Sequence, residues 1–184
     1  MKIGIIIFNG FVHFEVAIVS YLLNTKFEVV TLAPTIGGVR SEEGMIIQPD
    51  EVISEKPIES LDCLIIPGGN EENIINNQAL KSLVSTMNKK KKILGAICSG
   101  VLVFAEMGVL KEQEFTTSIP QEEFSKYVTS TYKDQNTVSS GHIVTAKANG
   151  YVDFALELGK KLKLFENYND FEETRQFFKE FKSL

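Results

Sequence analysis

The sequence predicts an α/β domain whose sheet is mostly parallel and covered by helices on both faces. Three observations carry that expectation. Four short runs rich in β-branched and other apolar residues recur along the chain: Ile3 to Phe8, Phe27 to Leu32, Leu61 to Pro67 and Ile93 to Cys98. Such unbroken apolar runs read as strands buried on both faces, as in a parallel sheet. Segments with helical apolar spacing separate them, and sharp glycine-containing turns close two of the runs.

Taken in order, Ile3 to Phe8 ends at Asn9-Gly10, and His13 to Leu23 follows with Val16, Val19, Leu22 and Leu23 on one helical stripe. Phe27 to Leu32 completes a β-α-β unit. Gly37-Gly38 and Gly44 punctuate Val39 to Gln48, expected as a short hairpin on the edge of the sheet. Leu61 to Pro67 is closed by Gly68-Gly69, with a helix from about Gln78 to Asn88. Ile93 to Cys98 leads sharply into a helix from Gly100 to Met107, which ends at Gly108. Short β-like runs follow at Glu114 to Thr117, Val128 to Tyr132 and His142 to Ala146. A helix from Tyr151 to Leu162 and an amphipathic one from Phe171 to Phe181 complete the series.

A length of 184 residues, without an internal repeat or linker, fits one domain spanning 1–184. Apolar residues make up 43% and charged residues 23%, the balance of a soluble globular protein. The 19 basic against 24 acidic residues give a net charge of -5, which argues against a reader of nucleic-acid backbones. The one basic run, Lys89 to Lys92, reads as a solvated helix end. The apolar opening stops at Asn9-Gly10, well short of the roughly 20 residues a spanning helix needs, so no membrane partner is expected. Two cysteines and no signal-peptide pattern make free thiols in a reducing cytoplasm the expectation.

Ligands of open α/β sheets bind beyond the carboxyl ends of the strands. Glu15, Gly68-Gly69 and Cys98 all fall just after such ends. In Ala96-Ile97-Cys98-Ser99-Gly100 a thiol stands between a buried strand and a helix start, the layout of a nucleophile elbow. The helix N-terminus there favours a thiolate, and a carboxyl group that keeps its proton can donate to the sulfur. The backbone amides of Ser99 and Gly69 could face an oxyanion. Structural alternatives stand beside each of these readings. A lone cysteine at a strand end usually serves packing, and Glu15 at a helix start can be only an acid favoured by the dipole. Cys63, within an apolar strand, reads as core. His13 and Gly68 are candidates for the pocket rim, although His13 fits an exposed loop or helix start better, and His142 reads as structural. No Cys-His-Asp triad is legible. Two isolated histidines and separated cysteines lack metal-ligand spacing, so neither a metal nor another cofactor is expected.

Several pieces together form a specific pattern: Lys2 to Phe8, Glu15, Ile65-Ile66-Pro67-Gly68-Gly69, Ala96 to Gly100, Gly108-Val109-Leu110 with Thr116-Thr117, and Ile143 to Leu158. In these the chain resembles, over its full length, the ThiJ/PfpI superfamily. Those proteins are relatives of class I glutamine amidotransferase domains and include the Parkinson-disease-associated deglycase. The resemblance implies a flavodoxin-like three-layer sandwich, with Cys98 as nucleophile and Glu15 as the protonated acid touching it. It also implies Gly69 and Ser99 as oxyanion-hole amides, and homodimers or larger assemblies. Two departures stand out. Ser99 occupies the place after the cysteine where protease-type members carry histidine, and Ser118, a candidate for the pocket rim, the place after the Thr-Thr pair where deglycase-type members carry it.

The expected function is a cysteine-dependent hydrolase or lyase acting on a small carbonyl or amide compound, resembling glyoxalases, deglycases or amidases. One alternative is a non-enzymatic oxidative-stress sensor or protective protein in which Cys98 is oxidised. Another is a protease-like or glutaminase-like protein, which the absent histidine disfavours.

Overall fold

The computed structural model describes residues 1–53, 61–125 and 130–183. Its centre is a seven-stranded sheet. In chain order the elements begin with β1 (Lys2–Ile6), α1 (Phe14–Asn24), β2 (Glu28–Ala33), β3 (Val39–Arg40), β4 (Ile46–Ile47), β5 (Glu51–Val52) and β6 (Leu61–Ile66). Next come α2 (Glu72–Ile75), α3 (Gln78–Lys89), β7 (Ile93–Ile97), α4 (Gly100–Glu106) and α5 (Gln121–Phe124). Last are β8 (Thr137–Ser140), β9 (Ile143–Ala146), α6 (Tyr151–Lys161) and α7 (Tyr168–Glu180).

The sheet order is β5-β2-β1-β6-β7-β9-β8, with every pairing parallel except β8 on β9. From β1 the chain steps toward β5, whereas from β6 it steps the other way. Right-handed crossovers then place α1 and α3 on opposite faces, giving a helix-sheet-helix sandwich. The inner strands are apolar because both their faces are covered: Ile3, Ile6, Leu64, Ile65, Ile66, Leu94 and Ile97 have no exposed surface. Each such side chain contributes about 1.5–3 kcal/mol relative to leaving it in water. α1 lies against α6, and α6 also receives α7.

Two of the helices begin at side-chain caps. Asn77 accepts from the Leu80 amide at 2.9 Å to open α3, and Asn167 accepts from Asp170 at 3.1 Å to open α7. The latter cap starts the last helix three residues earlier than apolar spacing alone suggests. The expected hairpin exists, but β3 and β4 pair only with each other, as a separate two-stranded sheet. The edge of the main sheet is taken instead by β5, which lies parallel to β2. Of the run Glu114 to Thr117, only Phe115 makes a bridge, to Tyr132. The proposed strand Val128 to Tyr132 lies partly outside the described residues. β8, whose Thr-Val-Ser-Ser sequence has one apolar residue, escapes a search for apolar runs. Among the described residues no helix is long and apolar enough to cross a membrane.

Candidate functional site

β1 and β6 are adjacent, and the connections leaving them run in opposite directions, so a crevice opens beyond their carboxyl ends. The loop after β1, the Gly68-Gly69 turn after β6 and the elbow after β7 meet there. Backbone bonds lock the first two together: Val12 N–H donates to Gly68 at 2.9 Å, and Asn70 N–H to Gly10 at 2.9 Å. Gly69 has φ +128°, and a Cβ on it would stand 2.0 Å from the Gly10 carbonyl oxygen. Only glycine satisfies both conditions.

Cys98 has φ 57°, a left-handed conformation that costs a non-glycine residue about 1–2 kcal/mol. Its neighbours hold it there. The Cys98 N–H donates to Ala146 at 2.9 Å, and the Thr117 hydroxyl donates to the Cys98 carbonyl at 2.8 Å. Gly100 lets α4 start against the end of β6, since a Cβ there would lie 2.4 Å from the Pro67 carbonyl oxygen. The strand therefore turns into the helix with the thiol at the apex. The side chain is only half-buried, whereas Cys63 is fully buried; both thiols are free.

Glu15, on the first turn of α1, is 1% exposed. Its Oε2 accepts from the Gly68 amide at 2.7 Å. Gly68 has Glu15 on one side and Cys98 on the other: a Cβ there would meet Cys98 Cβ at 2.7 Å, Glu15 Oε2 at 2.9 Å and Cys98 Sγ at 3.1 Å. The missing side chain is what lets acid and sulfur share one space. Burial raises the Glu15 carboxyl above its ordinary range, helped by the nearby charge of Glu43 and opposed by hydrogen bonds from Gly68 and Cys98. Burial, with the charge and hydrogen bond of Glu15, pushes the Cys98 thiol up to about 12, against the Ser99 amide and the Ser118 side chain. Glu15 thus opposes ionisation of Cys98, whereas the thiol, as a hydrogen-bond partner, favours an ionised Glu15, and the two titrations are coupled.

The oxyanion-hole amides expected at Gly69 and Ser99 differ in their present engagements. The Gly69 N–H donates to Ser99 Oγ at 2.9 Å, and the same hydroxyl is 3.0 Å from the Gly69 carbonyl oxygen. An oxyanion would have to displace the Ser99 side chain to use Gly69. The Ser99 amide, at the elbow itself, lowers the Cys98 thiol instead. Ser118 Oγ accepts from Ala148 N–H at 2.8 Å while its side chain reaches Cys98. His13 sits before α1 with its ring edge-on to Phe11, and among the described residues it makes no hydrogen bond to Cys98 or Glu15. His142 is at the opposite end of the sheet, where Nε2 lies 2.7 Å from Asn88 Oδ1.

Beside the elbow a cleft of about 500 Å³ is lined by Thr117, Ser118, Phe124, Tyr132 and Lys147, among others. Its size suits a small molecule. Lys147, ion-paired to Asp134, and the Cys98-holding Thr117 are residues that sequence reasoning left outside the site. Their one signal was position, just after a strand end for Lys147 and in the Thr-Thr pair for Thr117. No group of three or more His, Cys, Asp or Glu side chains suited to a metal occurs among the described residues.

Comparison with known proteins adds a lineage to this geometry. The model of the DJ-1/PfpI family matches residues 1–161. The chain is 28% identical over 146 residues to the uncharacterized protease YoaZ of Bacillus subtilis, covering 76% of this chain and 69% of that one. It is 27% identical over 150 residues to the glutathione-independent glyoxalase DJR-1.2 of Caenorhabditis elegans, covering 80% of each. The crystal structure of the thiJ/pfpI family protein from Bacillus anthracis superposes with a TM-score of 0.86 at 24% identity, covering 98% of this chain and 91% of that one. That last likeness is one of fold.

Proposed function

Because the chain belongs to the DJ-1/PfpI family, we propose that it is a cysteine-dependent hydrolase or lyase acting on small reactive carbonyl compounds, with Cys98 as nucleophile and Glu15 as its proton partner. The observation that carries this reading is the shared space at Gly68, where the Glu15 carboxyl oxygen and the Cys98 sulfur both approach one side-chain-free position. The glyoxalase named among its relatives supports the substrate class.

The chemistry follows from the pair. Glu15 carries a proton that burial favours keeping, and a buried acid beside a thiolate is a donor rather than a second anion. Once the Cys98 thiol has given its proton to water, the thiolate bonds to the aldehyde carbon of a 2-oxoaldehyde, and the carbonyl electrons move to oxygen, which takes the Glu15 proton. A hemithioacetal and a carboxylate at Glu15 result. That carboxylate can then accept the proton on the same carbon and return it to the neighbouring one, while the hydroxyl proton passes to the neighbouring oxygen, giving the thioester of a 2-hydroxy acid, which water cleaves to the acid and free thiol. Proton transfer by a placed group is worth about 10² to 10⁴ in rate. A peptide amide needs in addition a proton donor for its leaving amine, and both positions where relatives carry histidine hold serine.

The test compares the protein with its Cys98→Ser variant on a 2-oxoaldehyde and on a fluorogenic peptide, with peroxide exposure in parallel. Aldehyde turnover lost in the variant, with no peptide cleavage by either, is the expected result. Cys98-dependent peptide cleavage would assign a protease instead. Absence of turnover together with oxidation confined to Cys98 would favour the sensor reading, which the half-buried state of this thiol alone accommodates.

A further inference from the structure

We propose that Glu43, in the turn between β3 and β4, is a positioning residue for the Cys98–Glu15 pair, its carboxylate closing the N-terminus of α1 and thereby fixing where the Glu15 carboxyl group stands. The proposal rests on the pairing of Glu15 with Cys98 described above, but not on any turnover.

The first turn of a helix has N–H groups without partners inside it, which a capping side chain normally satisfies. The residue in the capping place of α1, His13, makes no such bond. Glu43, remote in sequence, does this instead: Oε2 accepts from His13 N–H at 3.1 Å and Oε1 from Phe14 N–H at 2.9 Å. With one amide on each oxygen, the carboxylate has a single orientation. Glu15 is the next residue along. Its Oε2 reaches Gly68 at 2.7 Å from that turn, so a shift of the first turn of α1 strains or breaks this bond and moves the acid relative to the sulfur.

The turn that presents Glu43 is itself anchored to the same loop. Glu42 N–H donates to Phe11 at 2.9 Å and Gly10 N–H to Arg40 at 2.7 Å, while the bonds of Ser41 N–H to Met45 at 2.8 Å and of the Arg40 guanidinium to Gly44 at 2.8 Å close the turn on itself. Arg40 N–H donates to Asn9 Oδ1 at 2.9 Å. Glu43 is thus the last of a series of contacts between the small sheet and residues 9–14, and the one nearest Glu15.

Charge adds to position. Partial desolvation raises the Glu43 carboxyl, but hydrogen bonds from the Phe14 amide, the Ser41 side chain, its own amide and the His13 amide outweigh this and bring it to about 2, so it remains ionised near neutrality. The titratable groups acting on Glu15 are Cys98 from the elbow and Glu43 from the turn, with His13 two residues back on the loop entering α1. A fixed negative charge favours the protonated form of Glu15. A protonated Glu15 favours the Cys98 thiolate.

The experiment measures the pH dependence of Cys98 alkylation by iodoacetamide, with peptide mapping, in the full chain and in Glu43→Gln, Glu43→Asp, Glu15→Gln and the Glu15→Gln/Glu43→Gln double variant. Thermal unfolding of each controls for folding. Glu43→Gln should move the profile to higher pH by about one unit, hence about tenfold slower alkylation near neutrality, and Glu43→Asp should recover part of it. In the Glu15→Gln background the second substitution should change nothing further. An unmoved profile in Glu43→Gln, or an equal shift with and without Glu15, would overturn the proposal. If Glu15→Gln alone leaves the wild-type profile, the pairing itself is wrong. If Glu15→Gln changes the profile and Glu43→Gln does not, only the role of Glu43 is lost.

Discussion

One cysteine stands within β6 and the other just past the end of the adjacent β7, in opposite chemical circumstances. Cys63, in the middle of β6, faces Ile93 across the ladder and has no exposed surface. Burial, reinforced by the charge of Asp62, raises its thiol far beyond the ordinary range, and no hydrogen-bond partner acts to lower it. Cys98 is also raised, but the Ser99 amide and the Ser118 side chain pull the other way, and a titratable acid shares its space. Its backbone is strained where that of Cys63 is ordinary strand. The difference teaches that reactivity here belongs to a turn and its neighbours, and that the residue type alone says little.

The largest effect expected from breaking this contrast comes from the turn that faces the elbow. Gly69→Ala would place a methyl group against the Gly10 carbonyl oxygen in a conformation alanine avoids. Loss of about 3 kcal/mol or more is expected, read as a lower denaturation midpoint, or failure to fold. Thermal stability close to that of the parent would mean that the two loops are not locked as described.

A paired substitution sharpens the comparison at intermediate size. Cys63→Ser buries a hydroxyl in an apolar strand and should cost about 1–3 kcal/mol, whereas Cys98→Ser, half-buried with polar neighbours, should change stability by about 0.5 kcal/mol or less. Denaturant unfolding of the two variants gives the answer. Equal losses would erase the distinction between core thiol and site thiol.

The smallest effect concerns acid. Since the Glu43 carboxyl is lowered to about 2 in the folded chain, it contributes stability that is fully present above the ordinary carboxylate range. That contribution disappears as pH falls through the folded value. Glu43 is exposed, so the contribution after solvent screening is about 0.5 kcal/mol. Between about pH 4.5 and pH 2, Glu43→Gln should therefore lose stability less steeply than the parent. Parallel slopes would show that the cap carries no net charge effect.

Much of this was legible in the sequence for a physical reason. Strands buried on both faces must be continuously apolar, so β1, β2, β6 and β7 are visible as runs, and residues just past their ends are candidates by topology alone. Glu15, Gly68 and Cys98 stand out in that way, and the structure brings them together. Two-residue β5 and the polar β8 gave no such signal. Nor could sequence reveal that the Ser99 hydroxyl engages the Gly69 amide, a matter of one side-chain rotamer. Glu43 was equally hidden, because its partners are 29 and 30 residues away and its local sequence looks like an exposed turn.

The way the elbow is held has a consequence for the order of folding. The bonds around Cys98 and Glu15 join residues far apart along the chain: Glu15 to Gly68 over 53 residues, Gly69 to Ser99 over 30, and Thr117 to Cys98 over 19. Loop-closure entropy delays such contacts relative to local ones. During synthesis Cys98 leaves the ribosome before Thr117, Ser118 and Ala146 exist to fix it. A nascent or partly folded chain therefore carries an ordinary thiol, and the distinctive chemistry of Cys98 is acquired only on completion, a built-in marker of the mature state.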